Sequence, residues 1–255
     1  MPFLPQSALK EYSNVTEADI AFAVAMWYRL APAFYRPLMD APLTGQPARF
    51  TWDAKVRLYV YSQSGKHIPA LEIRNRAIEP FIQSVNGMMR AATAGLQSKA
   101  ADVDAWQAEM MQTIKLSQLA AWLIANGGQK NATKSDNENA ALTILALLVF
   151  FNVFVKDVIT KKQKMNGLLF IRSDLYAEAA RDAFEEAGRL SKEIYLGHTE
   201  ERRRLDPLIS NHCHTVDDWM GCPELAAKGW QPIGSLPRLM NTPCRSHCHC
   251  TWETR

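Results

Sequence analysis

Apolar positions recur at helical spacing along most of the chain, with one short interruption. Thr16, followed three residues later by Asp19, imitates a capping box, and the apolar-rich stretch Asp19–Leu30 predicts a helix that Pro32 and Pro37 end. The segment APLTGQPARF reads as loop from its prolines and glycine. From Thr51 to Pro69 the period changes. Val56, Leu58 and Val60 alternate with Arg57, Tyr59 and Tyr61, and SQSGKH supplies a turn, which predicts one short β-hairpin.

Residues 70–195 return to the helical period. Ile73, Ile78, Phe81, Ile82, Val85 and Met89 fall close to one face, with Pro80 expected to kink or break the helix. Asp102 or Asp104 caps the next helix, AWQAEMMQTIKLSQLAAWLIAN, which stops at Gly127-Gly128. The polar stretch QKNATKSDNEN reads as loop and precedes AALTILALLVFFNVFV, residues 140–155. That run is apolar all round, carries Asn152, and falls short of the ~20 residues a membrane span needs, so the expectation is the buried centre of a bundle. From a Ser173 cap, the segment to Leu196 is amphipathic, with Leu175, Tyr176, Ala179, Ala183, Phe184 and Ala187 sharing a face.

These patterns predict a mainly α fold: a helical bundle with one short β-hairpin and an irregular, Cys/His-rich C-terminal module. Three parts follow: 1–69 (helix, loop and hairpin), 70–197 (helical core) and 198–255 (the Cys/His-rich module). The last is too short and too poor in apolar periodicity to build its own core, and a segment of that kind needs a staple.

Composition adds restraint. Apolar residues make up 47% and charged residues 22%, as in soluble globular chains, and 29 basic against 26 acidic residues leave only +3, too little to name a polyanion as partner. The basic runs ERRR (Glu201–Arg204) and KKQK (Lys161–Lys164) could touch phosphates, but without interleaved aromatics they read as solvated faces, and no nucleic-acid-binding residue is assigned. His67 and His198 stand alone and read as structural. The N-terminus MPFLPQSALKEY lacks the pattern of a secretory signal. No P-loop, GxGxxG, GxSxG or HExxH is present, and a Cys/His nucleophile pair has only the crowding of the tail to recommend it.

The cysteines change the picture. All five (Cys213, Cys222, Cys244, Cys248 and Cys250) fall in the C-terminal module, and four of the six histidines (His212, His214, His247 and His249) lie among them. The odd number and the tight Cys248-x-Cys250 pair argue against a disulfide framework and for thiolate coordination. Structural zinc takes four soft ligands, two from each of two knuckles. Cys222 with Cys213 or His214 would make one knuckle, and Cys244 with Cys248 or Cys250 the other. Free buried thiols, partial disulfides, or a catalytic metal beside Asp217, Asp218 or Glu224 are the alternatives.

Three stretches carry a resemblance. Residues 105–128 (AWQAEMMQTIKLSQLAAWLIANGG), residues 172–189 (RSDLYAEAARDAFEEAGR) and the module LGHTEERRRLDPLISNHC…CPELAAKGWQPIGSLP…CRSHCHC are similar to the minor head, or head-morphogenesis, proteins of tailed bacteriophages. The most specific elements are Ala-x-x-Gly-Trp-x-Pro-x-Gly-x-Leu-Pro and the final C-x3-C-x-C. The chain departs from the family in the first knuckle, where HTVDDWMG separates Cys213 from Cys222, which leaves the fourth ligand open between Cys213, His214 and Cys250. The first 50 residues have no counterpart in the family.

The resemblance implies a non-enzymatic virion protein, assembled in the bacterial cytoplasm in several copies with the portal or major capsid protein, assisting head assembly or DNA delivery. It also implies contact with packaged DNA as an option, and no membrane partner. Two other classes compete: a phage-borne metal-dependent nuclease or transferase, and an ejected protein that meets the host membrane through residues 140–155.

Overall fold

Capping chemistry decides where the helices begin. The hydroxyl of Thr16 accepts from the Asp19 N–H at 3.2 Å and Asp19 accepts from the Thr16 N–H at 2.9 Å, so the expected capping box opens the second helix. The computed structural model describes residues 4–207, 212–238, 242–243 and 248–255, which form a mainly helical protein with two small antiparallel sheets. Its first helices are α1 (Gln6–Ser13) and α2 (Glu17–Leu30).

A three-stranded sheet follows: β1 (Phe50–Asp53), β2 (Leu58–Tyr61) and β3 (Lys66–Ile68), in that order. The expected hairpin thus gains a third strand, and Val56, read as a strand position, lies in the β1–β2 turn beside Arg57, whose φ is +55°. His67 sits in β3, 3.0 Å from Asp53.

Helix α3 (Ala70–Ile73) runs through a wide turn, Arg74–Ile78, into α4 (Glu79–Gln97). Pro80 occupies the first turn of α4, where its missing N–H costs least, and the π turn just before it absorbs the ring. Asp102 caps α5 (Val103–Ala125), accepting from the Ala105 N–H at 2.8 Å.

Two boundaries differ from expectation, each because of a cap. Thr133 and Asp136 form a second capping box, so α6 spans Lys134–Ile159 and begins inside the stretch expected to be loop. Asn166, not Ser173, caps α7 (Gly167–Leu196). Ser173 lies inside α7, where its hydroxyl donates to the Leu169 carbonyl at 3.0 Å and meets Thr93 at 2.9 Å.

The centre of the bundle is α5. Trp106, Met110, Ile114, Leu119 and Leu123 are fully buried, and α2, α4, α6 and α7 all pack on this helix. Ala120 and Ala121 let the neighbours approach, and Trp106 packs edge-on against Phe154 with ring centroids 5.4 Å apart. Residues 140–155, expected at the centre, lie on the flank instead and bury only one side of α6. At the end of α5, Gly127 and Gly128 have φ of +88° and +86°, and any side chain there would strike the Trp52 ring and the Met39 carbonyl. The sheet and the N-terminal segment close onto α5 through these two glycines.

The C-terminal module lies against α7. Strands β4 (Glu200–Arg204), β5 (Gln231–Pro232) and β6 (Thr251–Thr254) make a second sheet, ordered β5-β4-β6, joined by the short helix α8 (Cys222–Ala227). Ion pairs hold the joint. Fully buried Glu201 accepts from Arg189 of α7 at 3.2 Å and from the Leu236 N–H at 3.0 Å. The ERRR run is therefore not a free basic patch: Arg202 and Arg204 flank Glu253 across the strands, and Arg203 points inward.

Candidate metal centre

The module folds so that residues far apart in sequence meet at one point. Cys222 is the first residue of α8, while Cys248 and Cys250 lie just ahead of β6. The sulfurs of Cys222, Cys248 and Cys250 all lie within 4.8 Å of one another, and the three residues are at most 2% exposed. Cys222 and Cys248 are 3.5 Å apart. A metal–sulfur bond of about 2.3 Å in a tetrahedron places sulfurs about 3.8 Å apart, so the three thiols already stand near the edges of such a site.

The local sequence explains the approach. Gly221, which precedes Cys222, is overlaid by the backbone of Cys213 and His214; a β-carbon there would run into the Cys213 carbonyl. That carbonyl accepts from the Cys222 N–H at 3.0 Å, tying the two strands of the knuckle together. On the other side, Arg74 of the wide turn before α4 donates to the Cys250 carbonyl at 3.3 Å while pairing with Glu185 at 3.2 Å. His249, between the two cysteines, is turned toward the helical body, where Glu79 and Arg181 both act on it.

The electrostatics favour a thiolate on Cys248 alone of the three. The hydrogen bond shared by Cys222 and Cys248 holds the Cys248 thiol far below its ordinary value and raises that of Cys222. Cys250, lowered by its bond to Cys222 but raised by Cys248 and by burial, ends above its ordinary value. The Cys250 N–H also supports the Cys248 sulfur, and the Asp206 N–H that of Cys250. Arg203, 2% exposed, lies over the Trp252 ring at 4.0 Å and donates to the Pro237 carbonyl, and its Nε and Nη1 have no hydrogen-bond partner among the described residues. It stands opposite Trp252 in the β4–β6 pairing, two residues from Cys250, and its charge favours the Cys248 thiolate. A buried guanidinium acting on the Cys248 sulfur is a counter-charge to a thiolate there. The donor set fits a soft divalent metal ion.

The sequence-selected residues divide. Cys222, Cys248 and Cys250 converge, and Cys244 lies outside the described residues. Cys213 places its sulfur 3.7 Å from that of Cys222, but it is disulfide-bonded and so does not join as a thiolate. His214 does not reach the cluster: its side chain is 72% exposed and its Nδ1 lies 3.1 Å from Glu224. Among the described histidines, His212 approaches, with Nδ1 3.8 Å from the Cys250 sulfur. No spacing rule separated His212 from His214; their alternation around Cys213 was the only signal.

The chain matches no known family model, no curated protein and no solved structure.

Proposed function

We propose that this chain is a non-enzymatic structural component of a tailed-phage virion, a minor head protein that works beside the portal or capsid. What carries the reading is the C-terminal stretch GWQPIGSLP followed by C-x3-C-x-C, whose pattern resembles the terminal module of that family. The centre in this module serves as a fastener. Zinc held by Cys222, Cys248 and Cys250, with His212 completing the set, would clamp α8 to β6 and keep the module on the helical body. Burial supports a holding role, since a substrate has no approach to three sulfurs this enclosed.

Two measurements test this reading. Mass spectrometry of purified particles from a host producing the phage should find the chain at fixed stoichiometry to portal or capsid protein; its absence would sink the virion role. Elemental analysis of the purified protein, with a thiol count, should give one zinc per chain and three protected thiols. Metal-free protein whose Cys222, Cys248 and Cys250 are bridged would remove the zinc while leaving the virion role standing.

A further inference from the structure

We infer that the outer face of α6 is an interface between two copies of this chain, packed antiparallel about a two-fold axis near Ala146. From 142 to 153 every exposed position of α6 is apolar: Leu142, Ala146, Val149, Phe150 and Val153, with Leu142 63% and Phe150 62% exposed. The polar residues of the same stretch point the wrong way for a solvated helix. Thr143 and Asn152 are buried, Thr143 accepting from Arg238 at 3.5 Å and Asn152 bonded both ways to the backbone of Leu4 at 2.8 and 3.2 Å. The helix thus satisfies these polar side chains inside and, besides the apolar residues it buries, presents a second apolar row outside, unlike a surface helix.

Several features select a second copy as the occupant. Leu142, Ala146, Val149 and Val153 follow a 4-3-4 spacing, the seam that lets two helices pack side by side. Ala146, small and central, allows close approach. A groove of about 370 Å³ opens beside it between α6, α5 and α7, lined by Leu142, Ala146, Leu147 and Phe150 and rimmed by Asp182 and Arg238. A two-fold axis through Ala146 brings Phe150 of one copy to the Leu142 end of the other, where it fills this groove. The charges also agree. Glu138 lies one turn before Leu142 and Lys156 about one turn after Val153, both exposed. Antiparallel pairing sets Glu138 against Lys156 of the second copy at both ends; parallel pairing would set like against like. This inference stands apart from the virion reading and survives its failure.

The test is sedimentation equilibrium of the full chain over a concentration series, with far-UV circular dichroism as a folding control. Wild-type protein should dimerise, and Phe150→Glu, at an already exposed site, should weaken the dimer at least about 30-fold with unchanged helicity. Lys156→Glu alone should weaken it about 3- to 5-fold, and Glu138→Lys with Lys156→Glu should restore it. A wild-type chain that stays monomeric at about 100 μM overturns the proposal. So does a dimer indifferent to Phe150→Glu, or a double charge swap that fails to rescue the single one. A monomer that floats with anionic vesicles through this face also overturns it, assigning the surface to lipid.

Discussion

The helical body and the C-terminal module solve the same problem by different means. The body is stabilised by a continuous apolar core that runs from Leu9 to Ala187 and includes Trp27, Trp106 and Phe151. Among the described residues, the module has an apolar cluster of Leu225, Leu236 and Trp252, and beside it the cluster of three cysteines. Where apolar area is scarce, charged side chains make the joints: Arg189 with Glu201, Arg203 on Trp252, Arg74 on the Cys250 carbonyl. A core distributes its stabilisation over many side chains, whereas a fastener concentrates it in a few. The two regions should therefore fail differently.

Removing the fastener should have the largest effect. On the proposed zinc centre, a metal chelator, or Cys248→Ser, should release the module while the body keeps its helicity, because a structural zinc would contribute about 10 kcal/mol or more to the folding it organises. Limited proteolysis reads this directly: cuts should appear beyond Gly197, with the fragment before them intact. Body and module unfolding together would break the contrast.

Trp106→Ala should act on the other region. Deleting an indole packed against Phe151 and Phe154 should cost about 3–5 kcal/mol, read by denaturant midpoint, with no loss of bound metal under native conditions. Metal loss that coincides with unfolding of the body would mean the two regions are one cooperative unit.

A finer test concerns the counter-charge. Arg203→Met removes the buried guanidinium but keeps packing on Trp252. It should lower metal affinity about 10- to 100-fold in a chelator competition, with Arg203→Lys recovering part of it. Equal affinity in all three proteins would reduce Arg203 to a packing residue.

The smallest effect is expected from acid on the body. Despite partial burial, which raises it, the bonds from Lys115 and Thr16 hold the Asp19 carboxyl below its ordinary value of 3.8. A carboxyl lowered in the folded state contributes stability that is complete above the ordinary value and is lost as pH falls through the lowered one. Thermal midpoints should therefore decline below about pH 4 in wild type and decline less steeply in Asp19→Asn. Identical slopes would show that this pair stabilises nothing.

Much of this architecture was legible in advance for a local reason. The Thr16 cap, a cap at Asp102 or Asp104 and a strand at residues 58–61 depend on neighbours in sequence. The structure has the first, places the second at Asp102 and keeps the strand, though Tyr59 and Val60 are both buried there. The Thr133 box was equally local but was masked by its polar surroundings, and Ser173 looked like a cap because serine serves either role. The choice of central helix was not local. Both α5 and residues 140–155 are apolar, and only packing shows that α5 is enclosed by four helices while α6 keeps one face outside.

At the candidate site the division is similar. That cysteines of the tail would gather was written in their crowding. That His212 rather than His214 approaches, that Gly221 lets the Cys213 backbone close over it, and that Arg203 lies buried beside the thiols were decided by tertiary structure. Sequence by itself determined the helices, their caps and the chemistry available to the tail, because these rest on contacts a few residues apart. Which helix became the core, which ligands met and which apolar face was left outside rest on contacts between residues tens of positions apart, and only the folded chain brings those together.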